Sequence, residues 1–329
     1  MQDTKANVQL SSPPDITFRH DGPLAVIGAG LTGASWAALF ASCGRKVRLF
    51  DNQATALADG LARARKHMHF LADHQLAEPE KVEAGLHELK ACSEMAEAVE
   101  GVVFVQEAVY EDYAVKRTVF EGIDEYAPRH ALIATSSSGL SITRIQSTLR
   151  FADRCLAGHP YNPPHLIPLV EIAPGNKTSS AAIQTAQAFY KAVGKIPVVL
   201  KREVPGYLAN RMSAALWREA INLVLDGVAS VADVDRAIQF GPGLRWALMG
   251  PHRLYHLGGG EGGIQYHIEH LGAAKEEMWQ DMNDWKTMPP ETADALKQGL
   301  PHRADISKLA DARDVNLVKL IKALKIRNF

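Results

Sequence analysis

Four apolar residues, Leu24 to Ile27, run directly into Gly28-Ala29-Gly30-Leu31-Thr32-Gly33, and an amphipathic stretch from Leu31 to about Cys43 ends at Gly44. A short apolar run, a glycine turn and a longer periodic segment in that order read as strand, turn and helix. Val47-Arg48-Leu49-Phe50 supplies the next strand. Residues 24–50 are therefore a βαβ unit, whose strands lie parallel and whose crossover is right-handed. The three glycines have separate physical reasons: a tight turn, close approach of backbone to a pyrophosphate, and close packing of helix on strand. The helix N-terminus adds unpaired N–H groups and the positive end of its dipole. Asp51 stands 21 residues after Gly30, at the end of the second strand. A carboxylate there can accept both ribose hydroxyl protons and repels a 2'-phosphate, and Asn52 brings no cation to receive one. These residues point to NAD rather than NADP, held by Gly28, Ala29, Gly30, Leu31, Thr32, Gly33 and Asp51. An ordinary turn with Asp51 as a helix cap would need all four features to fall in register by coincidence.

Further apolar runs at 102–106, 131–134 and 196–200 alternate with helical patterns at about 53–75, 112–126 and 179–192, the pattern of a doubly wound, Rossmann-type α/β sheet. Segments 154–159 and 168–173 read as strands that pair locally across a proline-rich loop. After Pro205-Gly206 the character changes. Leu208, Met212, Ala215, Leu216, Ala220 and Leu223 share one helical face, and the rest of the chain reads as all-helical. The expected organisation is a polar N-terminal extension over 1–22, an NAD-binding domain over 23–202, and a helical substrate and dimerisation domain over 203–329.

Composition removes several classes of function. With 36 Lys+Arg against 37 Asp+Glu the chain carries a net charge of −1, so no global positive field drives binding to a nucleic-acid backbone. A small-molecule substrate is the better expectation. The three cysteines, Cys43, Cys92 and Cys155, form no CxxC pair, which fits a reducing compartment. The N-terminal residues lack the apolar core of a signal peptide, and no segment is a membrane span. A cytoplasmic location is expected. The basic amphipathic segment 314–327 reads as a terminal helix docking Leu317, Leu320, Ile321 and Leu324 on its own domain rather than on a membrane.

The chemistry-bearing segments are Ser136-Ser137-Ser138-Gly139-Leu140, His159-Pro160-Tyr161-Asn162-Pro163 and Leu169-Val170-Glu171. Ser138 follows a strand, which places it at the carboxyl edge of the sheet, where open α/β folds bind ligands. His159 ends a strand, and Glu171 lies on the next one, so the loop from Pro163 to Pro168 can bring the two opposite each other. A carboxylate on one imidazole nitrogen fixes the tautomer and raises the basicity of the other, which suits removal of an alcohol proton. Taken singly, Ser138 could as well be a cap, His159 a turn residue and Glu171 a surface charge.

The run GAGLTG with Asp51, then EAVYEDYAVK, SSSGL, HPYNPP, LVEI and PGYLANR, resembles the 3-hydroxyacyl-CoA dehydrogenase superfamily in order and spacing over residues 24 to about 270. Within it the chain is similar to branches acting on small free 3-hydroxy acids, L-gulonate 3-dehydrogenase (lambda-crystallin) and L-carnitine 3-dehydrogenase. The resemblance implies His159 as general base, Glu171 as its orienting partner, and Ser138 and Asn210 as polar groups around the reacting oxygen. It implies cofactor contacts at Glu111, Lys116, Ser138 and Asn162, whereas the residues alone would leave Glu111 and Lys116 as a solvated helix pair.

Arg245, in GPGLRWALMGP, bears on the substrate, because a guanidinium fork suits the carboxylate of a free hydroxy acid. The plain alternative is an exposed arginine, and Trp246 beside it reads as a core residue or as a face for a quaternary ammonium. His252 with His256, and His267 with His270, have helical spacing but no cysteine nearby to complete a site, so no metal is expected. Three functions remain open from the sequence: oxidation of a small free L-3-hydroxy acid, oxidation of an L-3-hydroxyacyl-CoA, or an NAD-binding sensor or structural protein without turnover. A homodimer through the second domain is expected.

Overall fold

The computed structural model describes residues 22–325; the N-terminal extension, apart from Gly22, lies outside the described residues. The described chain divides into two compact units, one made of the residues up to Leu208 together with Lys325 and one spanning Ala209–Leu324. The first unit runs on past Arg202 for a physical reason: Leu200 and Tyr207 are buried in its core and Val204 packs on them.

The first unit is an eight-stranded sheet. Its strands are β1 (Leu24–Ile27), β2 (Val47–Phe50), β3 (Leu89–Cys92), β4 (Phe104–Glu107), β5 (Leu132–Thr135), β6 (Cys155–Pro160), β7 (Leu169–Pro174) and β8 (Ile196–Val199), in spatial order 3-2-1-4-5-6-7-8. β1 to β6 are parallel, β7 is antiparallel to β6, and β8 is parallel to β7. The chain order reverses between β1 and β4, the crevice where such sheets bind ligands. The helices are α1 (Leu31–Ser42), α2 (Ala54–Asp73), α3 (Pro79–Glu88), α4 (Met95–Val99), α5 (Tyr113–Tyr126), α6 (Ile142–Ile145) and α7 (Ser180–Ala192).

β1, β4 and β5 are buried on both faces, which is why β1 and β5 read as nearly continuous apolar runs, while β4 ends in the buried polar pair Gln106 and Glu107. One face carries Ala25, Ile27, Val105, Ile133 and Ala157 against Phe120 and Ile123 of α5. On the other, Phe104 stacks on Phe189 of α7 with ring centroids 3.7 Å apart, and Trp36 and Phe40 of α1 complete an aromatic layer. α3 and β3 were not foreseen. β3 buries only two of its four residues, and α3 buries only Val82 and Gly85, so neither leaves a clear period.

The second unit contains α8 (Ala209–Leu225), α9 (Val231–Phe240), α10 (Pro242–Leu248), α11 (Pro251–Gly258), α12 (Gly263–Asp281), α13 (Thr292–Lys297) and α14 (Ile306–Ala323). The apolar face expected on α8 is only partly covered: Ile221 and Asn222 are its buried residues, Leu216, Ala220 and Leu223 are half-buried, and Met212 is 63% exposed. The terminal helix begins at Ile306, earlier than foreseen, and buries Val318 and Ile321 while Leu320 stays exposed. Among the described residues no helix is long and apolar enough to cross a membrane.

One buried ion pair ties α5 to the start of β6. Arg154 is fully buried, with its guanidinium 2.9 Å from Asp124 Oδ1 and donating to the carbonyls of Asp124, Ala127, Pro128 and Ala131. Removing one partner of such a pair strands a charge away from water. Asp124→Ala is expected to lower the unfolding free energy by about 3–5 kcal/mol, read from urea denaturation at neutral pH.

Candidate active site at the carboxyl edge of the sheet

β1 ends in the glycine turn. Gly28 has φ +101°, and a Cβ there would lie 2.6 Å from the Ala108 carbonyl oxygen; a Cβ on Gly33 would lie 1.8 Å from the Gly28 carbonyl oxygen. Gly30, the residue before α1, faces open space instead and makes no side-chain cap. The first-turn amides of α1 therefore remain for an anion. Asp51 closes the arrangement: Oδ2 accepts from the Ala29 amide at 2.8 Å and Oδ1 from the Gln53 amide at 3.0 Å. The open ground in front of the turn is a cavity of about 710 Å³ lined by Gly28, Gly30, Thr32, Asp51 and Tyr110, among others. A bare glycine turn, an uncapped helix start and a carboxylate at the end of β2 fit the pyrophosphate and ribose of a dinucleotide.

A second cavity of about 210 Å³ shares Thr32, Ala108 and Val109 with the first, and is further lined by Glu111, Lys116, Ser136, Ser138, His159 and Asn162. The antiparallel register sets His159 directly opposite Glu171. His159 Nδ1 lies 2.9 Å from Glu171 Oε2, both side chains are buried, and Glu171 Oε1 accepts from the Leu208 amide at 2.8 Å. His159 Nε2 has no hydrogen-bond partner among the described residues. The Tyr207 ring lies 5.0 Å from the imidazole. Burial first, and then the charges of Glu203, Glu111 and Glu171, hold the Tyr207 phenol above its usual range, so it stays protonated beside the imidazole.

Glu111 and Lys116 are not a solvated pair. Lys116 is buried in the first turn of α5, with its ammonium 2.7 Å from Glu107 Oε1, 3.2 Å from the Val109 carbonyl oxygen and 3.5 Å from Glu111 Oε2. Glu107, which was not foreseen, also accepts from the Val109 amide at 2.6 Å and from the Thr135 hydroxyl at 2.5 Å. Its only trace in the sequence is an acid ending an apolar strand. Glu111 Oε1 gathers the Ser137 hydroxyl at 2.6 Å and the amides of Ser138 and Gly139 at 3.1 and 3.0 Å, so it shapes the serine turn. The Ser138 hydroxyl makes no hydrogen bond among the described residues.

Asn210 lies in the first turn of α8, and Arg245 is exposed on α10 with no carboxylate partner among the described residues. Both belong to the second unit. Trp246, read as a core residue, is 41% exposed. Among the described residues no group of three or more His, Cys, Asp or Glu could hold a metal.

Burial alone would raise the Glu111 carboxyl, but hydrogen bonds from Ser137 and the Gly139 amide, together with the Lys116 charge, outweigh it and hold the group below its usual value. A carboxyl depressed in the folded state contributes stability that is present above its unfolded value of about 4.3 and is lost as pH falls through the lower folded value. Glu111→Gln removes that contribution. The variant is expected to be less stable than the wild type at neutral pH and to lose less stability on acidification below about pH 4.3, as read by thermal melts across an acid series.

Comparison with known proteins places this geometry. Residues 23–204 match the 3-hydroxyacyl-CoA dehydrogenase NAD binding domain, and residues 206–298 match the 3-hydroxyacyl-CoA dehydrogenase C-terminal domain. L-carnitine dehydrogenase of Streptomyces coelicolor is 36% identical over 309 residues, covering 91% of this chain and 94% of that protein. The lambda-crystallin homolog of Bos taurus is 40% identical over 249 residues, 74% of this chain and 76% of that one. The crystal structure of 5-formyl-3-hydroxy-2-methylpyridine 4-carboxylic acid 5-dehydrogenase, an NAD+ dependent dismutase, superposes with a TM-score of 0.82 at 27% identity, covering 93% of this chain and 99% of that one. With both halves matched and the dinucleotide turn intact, the chain belongs to the 3-hydroxyacyl-CoA dehydrogenase family and is an NAD-dependent oxidoreductase acting on a CH–OH group.

Proposed function

We propose that this enzyme oxidises the 3-hydroxyl of a small free L-3-hydroxy acid, gulonate-like or carnitine-like, to the 3-oxo acid, with His159 as general base. The observation that carries this reading is the buried His159–Glu171 pair, with Nδ1 engaged and Nε2 left toward the cavity. When bound, NAD would supply the acceptor for the hydride on the carbinol carbon. His159 Nε2 takes the hydroxyl proton. Glu171 on Nδ1 keeps the lone pair on Nε2 and stabilises the imidazolium that forms. The Ser138 hydroxyl, which makes no bond within the described protein, donates to the reacting oxygen, and Asn210 is assigned to the same oxygen. Gly28, Ala29, Gly30, Leu31, Thr32, Gly33 and Asp51 hold the adenosine and pyrophosphate side. Glu111, Lys116 and Asn162 border the nicotinamide side, the first two chiefly by holding the serine turn and the end of β4 in place.

Arg245 carries the preference for a free acid: a guanidinium with no carboxylate of its own suits a substrate carboxylate in two parallel hydrogen bonds. Relatives named L-carnitine dehydrogenase support the same class. The competing reading is an acyl-CoA thioester, with which the cations Arg63, Arg65 and Lys66 along α2 are compatible. Exposed Trp217, Phe240, Leu248 and Trp279 in the second unit support a homodimer formed through that unit.

His159→Ala is expected to cost about 10²- to 10⁴-fold in kcat while NADH binding stays near the wild-type value; a smaller loss assigns the proton to another base. L-gulonate, L-carnitine, L-3-hydroxybutyrate and its CoA thioester should be assayed side by side with the wild type and Arg245→Met. The free acids are expected to be preferred, and the variant to lose about 10- to 100-fold in kcat/KM on them, the worth of a charge-assisted pair. Best activity on the thioester, with free-acid rates unchanged in Arg245→Met, would replace this reading with the acyl-CoA one.

A further inference from the structure

Ser136 lines the 210 Å³ cavity beside His159. Its hydroxyl oxygen receives two hydrogen bonds from beneath the sheet edge. Trp36 Nε1 donates at 3.2 Å and Gln106 Nε2 at 2.8 Å. An indole N–H can only donate, so the first direction is settled by chemistry. The second is settled by a neighbour. Gln106 Nε2 also lies 3.3 Å from the Gly158 carbonyl oxygen, which can only accept, so the amide nitrogen must face that way. The remaining end of the amide, Oε1, then accepts from the Tyr190 hydroxyl at 2.7 Å. Burial holds the Tyr190 phenol far above its usual range, which keeps it a donor.

A serine hydroxyl has two acceptor positions and one proton. Both acceptor positions of Ser136 are filled, and no group among the described residues takes its proton. Trp36, Gln106 and Tyr190 are buried, so this network holds one orientation. The proton is left to the cavity side. Ser138 differs, since its hydroxyl is exposed and held by nothing.

We propose that Ser136 is a directed hydrogen-bond donor to the carboxamide oxygen of the nicotinamide ring, and that Trp36 and Gln106 act through it as positioning residues. The proposal rests on the reading that the nicotinamide end of NAD lies in the His159 cavity. The carboxamide is the ring's only polar substituent, and a fixed donor on its oxygen selects which face of the ring is turned to the substrate. A donor already oriented before binding spends no ordering entropy on the contact.

Binding separates this role from a general effect on the fold, because ADP-ribose contains every part of the cofactor except the nicotinamide. Ser136→Ala is expected to weaken NADH about three- to tenfold, the worth of one neutral hydrogen bond, in a fluorescence titration, and to leave ADP-ribose affinity unchanged by calorimetry. Trp36→Phe, which releases one acceptor position and lets the hydroxyl turn away, is expected to weaken NADH by a smaller factor, again with ADP-ribose unchanged. Unchanged NADH affinity in Ser136→Ala would overturn the proposal, as would equal losses for NADH and ADP-ribose. A raised KM for the hydroxy acid with NADH affinity intact would also overturn it, by giving the proton to the substrate. His159→Ala run in parallel keeps the two readings apart, since it tests the base through turnover and leaves NADH affinity in place.

Discussion

β7 runs antiparallel to β6, and their register sets Glu171 directly across the ladder from His159. Side chains directly opposite on one face of a sheet come close with no long side chain and no adjusting loop. A slip of one residue would turn Glu171 to the other face, burying a carboxylate among the aromatic rings of α1 and α7. The register is held from outside as well. Lys195 is buried and donates to the Pro164 and Ile167 carbonyls, at 2.5 and 2.7 Å, within the loop that joins the two strands. The Leu208 amide on the second oxygen of Glu171 ties the end of the first unit to the same carboxylate. One acidic side chain therefore organises a histidine, a strand pair and the exit of the chain.

The alternation of side chains along β4 sorts the polar groups beneath the site into two sets. Glu107 points toward α5, where Lys116 and Thr135 meet it. Gln106, one residue earlier, points toward α1 and α7, where Ser136, Tyr190 and the Gly158 carbonyl meet it. In each set the side chain from β4 has its polar atoms engaged, as buried polar groups must, and among the described residues only the Ser136 proton is left over. Each also supports a different part of the serine turn: Lys116 through Glu111 holds the backbone of Ser138 and Gly139, while Gln106 holds the side chain of Ser136.

Much of this was legible in the chain itself. The glycine turn with Asp51 stands out by its spacing, and the strands at 24–27 and 131–134 stand out because a strand covered on both faces leaves an unbroken apolar run. β3 and α3 left no such mark, since they bury too few residues. The apolar period of α8 was visible, but what covers it was not, because periodicity reports an apolar face and not the surface it meets. The His159–Glu171 pair could be placed by strand spacing and family resemblance together. The partners of Ser136 could not be found that way: Trp36 and Gln106 lie 100 and 30 residues from it in the chain, and the direction of each bond depends on a third group. Glu107 was hidden for a related reason, since a lone acid ending an apolar strand does not reveal which cation will be folded over it.

Gly158 precedes His159 on β6, and a Cβ at that position would lie 1.9 Å from the Tyr190 hydroxyl oxygen and 2.8 Å from the ring carbon bearing it. The two positions are consequently locked to each other across α7 and the sheet. Deleting the hydroxyl alone, as in Tyr190→Phe, would still leave the ring carbon too close to admit an alanine at 158. A descendant of this chain can acquire a side chain beside its histidine only after position 190 has shrunk below an aromatic ring. That first step would empty part of the layer built on Phe104 and Phe189 and would withdraw the donor from Gln106.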